Sequence, residues 1–174
     1  MNDRRLNQLP LPEGEGWGEG QAIPSPPAMI FNFVVRKLRW LARIPLAPQI
    51  FDTMLLMATA FRDRRALAAR ETLEREACDS LGVAPGVHRF GGVGFKYGKH
   101  ELAHLHGNGL FDAFVGVQAR EQVVRSGMAL PHHVFPRSGW VSFWVKTESD
   151  VATALELMRI AQRYREGDLE WGAA

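Results

Sequence analysis

The feature that most constrains this chain is a set of short apolar segments cut by glycine between residues 87 and 115. Gly91-Gly92, Gly98-Lys99 and Gly107-Asn108-Gly109 separate residues 87–90, 93–97, 102–106 and 111–115. Gly and Asn enter left-handed turn conformations at little cost. Segments of four or five residues joined by only two to four residues must pair as antiparallel hairpins, because a parallel crossover needs about a dozen residues. The same spacing removes a nucleotide-loop reading of Gly92-Val-Gly94-Phe-Lys-Tyr-Gly98. No helix follows whose N-terminus could take a phosphate.

Helical periodicity brackets these strands. Over residues 63–81 the apolar positions are Leu67, Ala69, Leu73, Ala77 and Leu81, close to a 3.6-residue period, with Glu71 and Arg75 as an i,i+4 pair. Gly82 supplies a stop. A short helix over 119–126 ends at Gly127. In the strand over 140–145, Val141, Phe143 and Val145 share one face and Trp140, Ser142 and Trp144 the other. Thr147 to Asp150 caps a last helix over 151–165, whose buried stripe is Val151, Ala154, Leu155, Met158 and Ala161. The expected fold is α+β: an antiparallel sheet of about five short strands with helices packed on one side, preceded by an amphipathic N-terminal helical segment.

That segment divides in two. Residues 1–27 are rich in Gly, Pro and Glu, and such a leader is expected to be disordered. It lacks the apolar run of a secretory signal. Residues 28–61 are apolar, but the first half carries Arg36, Lys37, Arg39 and Arg43. Each base would cost about 2.5–3.5 kcal/mol at a bilayer centre, so the pattern suits an interfacial helix or one packed on protein. The α+β domain is expected over 62–168, with a tail over 169–174. The 174 residues carry a net charge of +2, too little for a nucleic-acid surface. The single cysteine, Cys78, allows no intrachain disulfide and fits a reducing, cytoplasmic setting with at most peripheral membrane contact. Glu76 and Asp79 beside it make it a poor nucleophile.

Four of the six histidines fall within residues 104–133: His104, His106, His132 and His133. His100-Glu-Leu-Ala-His104 has the letters of a zinc-protease helix, but it lies in strand territory. Four strand residues span about 13 Å, beyond the reach of one zinc ion. His104 and His106, two residues apart on a strand, point to one face about 7 Å apart. They can converge on a ligand or an ion, with His132 or His133 adding a third nitrogen. Asp112 is a possible oxygen donor. Glu101, one residue off the alternation, should face away. The cluster could equally cap turns. Arg137-Ser138-Gly139 is a polar turn that could also meet an anion. Trp140 and Trp144 could wall a pocket or simply pack.

His104-Leu-His-Gly-Asn-Gly-Leu-Phe-Asp112, Pro131-His-His133, Ser138-Gly-Trp-Val-Ser-Phe143 and the closing amphipathic helix together resemble the fungal luciferase domain family. The resemblance covers about residues 85–165 and extends to many bacterial proteins. The position of Asn108 is often acidic there. It implies an α+β domain and, in the light-emitting members, oxygen addition to the hydroxylated pyrone 3-hydroxyhispidin without a separate organic cofactor. It fixes no catalytic residues, and light emission is not expected of this chain. The functional expectation is an oxygenase-type enzyme for a small hydroxylated pyrone or phenol. His104, His106, His132 and His133 would be catalytic, and Asp112, Arg137, Trp140 and Trp144 would contact the ligand. A metal, if present, would sit on His104, His106 and His132. The alternative is a non-catalytic ligand- or partner-binding module, docked to an anionic membrane through Arg36, Lys37, Arg39 and Arg43.

Overall fold

The computed structural model describes residues 47–167. The leader over 1–27, the basic residues Arg36, Lys37, Arg39 and Arg43, and the tail lie outside the described residues. Among the described residues, four helices, α1 (Ala47–Arg62), α2 (Arg64–Leu81), α3 (Val117–Arg125) and α4 (Ser149–Glu166), accompany six strands. The strands are β1 (Ala84–Val87), β2 (Val93–Tyr97), β3 (His100–Leu105), β4 (Leu110–Phe114), β5 (Leu130–Pro131) and β6 (Trp140–Trp144). They form one open antiparallel sheet in the order β1-β2-β3-β4-β6-β5. No helix among the described residues is long and apolar enough to cross a membrane.

The two faces of the sheet differ, as strand alternation dictates. Phe95, Ala103, Leu105, Phe111, Ala113, Val141 and Phe143 point to one face and are buried with the apolar stripes of α2 and α4. Leu73, Ala77, Ala154, Met158 and Ala161 complete that core. Asp63 caps α2 by accepting from Arg65 and Ala66, and Gly82 closes it in the left-handed conformation. The opposite face carries His104, Asp112 and Ser142 in register across β3, β4 and β6.

Two elements depart from expectation. The first strand is Ala84–Val87 rather than residues 87–90. Gly91 and Gly92 both take positive φ, and His88 exchanges hydrogen bonds with this glycine turn, so the chain reverses there. The short β5 adds a sixth, edge strand, where Pro131 is tolerated.

Helix α1 reaches the polar end of the sheet. Its Phe51 and Leu55 pack with Leu110 and Trp144, and Asp52 accepts a 2.8 Å hydrogen bond from the Gly107 amide. This approach requires a glycine. A Cβ at Gly107 would collide with the Asp52 carbonyl oxygen and stand 2.6 Å from the Leu56 nitrogen. Gly107→Ala is therefore expected to lower unfolding stability by about 1–3 kcal/mol, the usual range for an overpacked site. Urea denaturation checks this, and a loss under about 0.5 kcal/mol would show that α1 yields freely.

Candidate functional site

The site is built around Asp112, in the middle of β4 and 0 % exposed. A carboxylate taken wholly from water must be compensated. Ser142, opposite on β6, donates its hydroxyl to Oδ1. His104 Nε2, His106 Nε2 and His132 Nε2 stand 3.3, 3.6 and 3.7 Å from Oδ2, and His133 Nδ1 stands 3.7 Å from Oδ1. The four histidines singled out in the sequence thus meet on one carboxylate. Oδ2 itself receives no well-directed hydrogen bond.

The imidazoles are held from behind. His104 Nδ1 donates to Glu101 Oε1 at 3.1 Å, and His106 Nδ1 lies 3.5 Å from Asp52 Oδ1. Glu101 was expected to face away from this cluster. Instead the β2–β3 register shifts between Phe95, which pairs with Ala103, and Lys96, which pairs with Glu101. The extra residue, Leu102, reverses the alternation below it and turns Glu101 toward His104. His88 also binds Glu101, at 2.9 Å, and stacks on His104 with ring centroids 3.9 Å apart.

His132 is oriented differently. Its Nδ1 accepts the backbone amides of Val134 and Phe135 at 3.1 and 3.0 Å. With that lone pair committed, the ring hydrogen falls on Nε2, which faces Asp112. His132 is therefore a donor into the site.

These surroundings spread the acidities. Burial alone would raise the Asp112 carboxyl, but His104, His106 and His133 hold it well below the usual range. Burial works against protonated His106, yet Asp112 and Asp52 outweigh it and push its pKa up to about 9. For His104 the same burial is overcome by Asp112 and Glu101, and its pKa rises. At His132 burial prevails over Asp112, and the pKa falls to about 4. Burial likewise lowers His88 despite Glu101. Glu101, raised by burial, is carried down to about 2 by His104 and His88.

The aromatic residues divide. Trp140 lies 5.1 Å from the His104 ring and 6.2 Å from that of His132, so it belongs to the site. Trp144 sits at the α1 end with Leu110 and Phe51. Arg137 is exposed in the loop between β5 and β6 and does not join the buried cluster. Two rings not singled out in the sequence flank the site: exposed Phe135 stacks on His132, and exposed Phe90 meets His88 edge-on. Asp112, His104, His106 and His132 are all buried. A groove of about 250 Å³ lies elsewhere, lined by Glu74, Pro85, Gly86, Val87, Gly92 and Val93.

His100 opens β3 opposite Tyr97, on a strand and not a helix, so the zinc-protease spacing has no structural basis. Asn108 Oδ1 accepts the Leu110 amide and braces the turn after His106. Three donor groups have ligand atoms close enough to hold a metal ion: His88 with Glu101 and His104, His104 with His106 and Asp112, and Asp112 with His132 and His133.

An antiparallel α+β domain with a buried histidine–carboxylate centre is the class this fold and site define. Residues 99–161 match the family model described as Luciferase domain, the family that the His104–Asp112 and Pro131–His133 motifs resemble. No curated protein and no solved structure matches the chain. His88 and Asp52, which support the site, lie outside the matched segment.

The Ser142 hydroxyl bonds a buried charged acceptor, a class of interaction that contributes about 1.5–3 kcal/mol. Ser142→Ala is expected to cost about that much in urea unfolding. A change within about 0.5 kcal/mol would show that Asp112 does not depend on it.

Proposed function

We propose that the Asp112 cluster is the centre of an oxygenase-type enzyme acting on a small hydroxylated pyrone or phenol, without an organic cofactor and without light output. The observation that carries this reading is the meeting of four imidazoles on one wholly buried carboxylate, inside the segment that matches the Luciferase domain. The exposed rings of Phe90 and Phe135, at the two ends of a chain of rings that runs through His88, His104, Trp140 and His132, supply surfaces on which a flat substrate can stack.

His133 is the most exposed of the four side chains, at 16 %, and turns Nδ1 toward Asp112 and Ser142. The tautomer with hydrogen on Nδ1 puts the basic lone pair on Nε2. That nitrogen takes the proton from the substrate hydroxyl. His132, with hydrogen on Nε2, steadies the enolate or phenolate that forms. The electron-rich ring carbon then forms a bond to one atom of O2. The second oxygen atom takes the negative charge and is protonated to a hydroperoxide, so the carbon is oxidised and O2 reduced by two electrons.

Oxygen uptake by the full chain, assayed with hydroxylated pyrones and catechols, tests this. Turnover of at least one is expected, falling by about 10²-fold or more in both His133→Ala and His132→Ala. No uptake with any of them, or unchanged rates in the two variants, rejects the reading.

A further inference from the structure

We propose that His104 Nε2, His106 Nε2 and Asp112 Oδ2 together bind one divalent first-row transition-metal ion. The inference deepens the oxygenase reading but stands on separate evidence, the spacing and partners of these three atoms.

The separations favour an ion over direct hydrogen bonds. A protonated imidazole bonded to a carboxylate brings N and O to about 2.7–2.9 Å. Here the nitrogens stop at 3.3 and 3.6 Å from Oδ2. Ligands about 2.0–2.1 Å from a shared ion lie about 2.8–3.0 Å apart in octahedral and about 3.3–3.4 Å apart in tetrahedral geometry. The His104 separation matches the tetrahedral edge and the His106 separation lies just above it. His104 and Glu101, by contrast, are at ordinary hydrogen-bond distance.

The buried oxygen is the second observation. Asp112 Oδ2 is enclosed and receives no well-directed hydrogen bond, while its twin Oδ1 accepts from Ser142. A cation at the focus of Oδ2 and the two imidazoles would satisfy it.

The third is the backing of the rings. Metal-bound histidines characteristically turn their other nitrogen to a carboxylate. His104 bonds Glu101 through Nδ1 at 3.1 Å, and His106 faces Asp52 with Nδ1 at a looser 3.5 Å, which points Nε2 of each at Asp112. The two carboxylates come from different elements, β3 at its bulge and α1.

His132 is outside this set. Its Nδ1 already accepts two amides, so Nε2 carries hydrogen and offers no lone pair. The ion would thus have two imidazoles and one carboxylate, not the three histidines expected from the sequence. Three protein ligands leave coordination positions open, and two histidines with one carboxylate are the donor set of non-haem iron(II) oxygenases.

The test uses the full-length chain without a histidine tag, stripped with chelator and equilibrated anaerobically with Fe(II), Co(II) or Zn(II). Metal content and the Co(II) visible spectrum are read with no substrate present. One ion per chain is expected, with the Co(II) bands lost in His104→Ala, His106→Ala and Asp112→Asn. Glu101→Gln should retain the fold by circular dichroism while weakening affinity roughly 10–100-fold. His100→Ala should bind as the parent does. Sub-stoichiometric metal with all three ions, or binding that survives the ligand substitutions, or loss on His100→Ala, would overturn the proposal. Because no turnover is measured, its failure leaves the oxygen-uptake result to stand or fall alone.

Discussion

The charge of Asp112 is the constraint on which this structure turns. A carboxylate in the centre of a sheet, with no exposure, has to draw polar partners from every direction it faces. Ser142 answers from the neighbouring strand, His104 from β3, His106 from the turn just after it, and two histidines from the loop after β5. Each of these is placed by an apolar counterpart on the other side of the sheet. Phe111 and Ala113 flank Asp112 in sequence and sink into the α2–α4 core. The hydrophobic face holds the polar face in register, because a one-residue slip would exchange them.

A second layer decides what each imidazole does. Four histidines meet one aspartate, yet they are not equivalent. His104 and His106 have carboxylates behind them, whereas His132 has backbone amides. The partner on the far nitrogen fixes which near nitrogen carries hydrogen. The same ring chemistry thus yields two candidate ligands on one side of Asp112 and a donor on the other.

Much of this was legible in the sequence. Glycine spacing called for hairpins, and the alternation in residues 104–106 and 140–144 put His104, His106, Ser142, Trp140 and Trp144 on their faces. The gathering of His104, His106, His132 and His133 with Asp112 was one of two readings open in the sequence, the other being that these histidines cap turns. Glu101 was missed because the bulge at Leu102 has no local signature: nothing in His-Glu-Leu-Ala-His announces an extra residue. His88 was assigned to a strand, though the glycines after it close a turn that brings its ring onto His104. Asp52 is remote in sequence from the cluster. Its one hint was Gly107, and a lone glycine does not say which backbone will approach it.

The seating of α1 on the turn after His106 has a thermodynamic corollary. Asp52 holds the Gly107 amide and the His106 ring at once, while the same helix leaves Ile50, Met54, Met57 and Phe61 uncovered. It also holds the domain through Phe51 and Leu55 against Leu110 and Trp144, and through Gln49 on the Arg89 carbonyl. Linkage then works in both directions: an occupant that prefers His106 in this pose tightens the helix, and whatever draws the helix away loosens the occupant by the same factor. Where Asp52 meets the turn after His106, the backbones approach so closely that only a glycine fits between them.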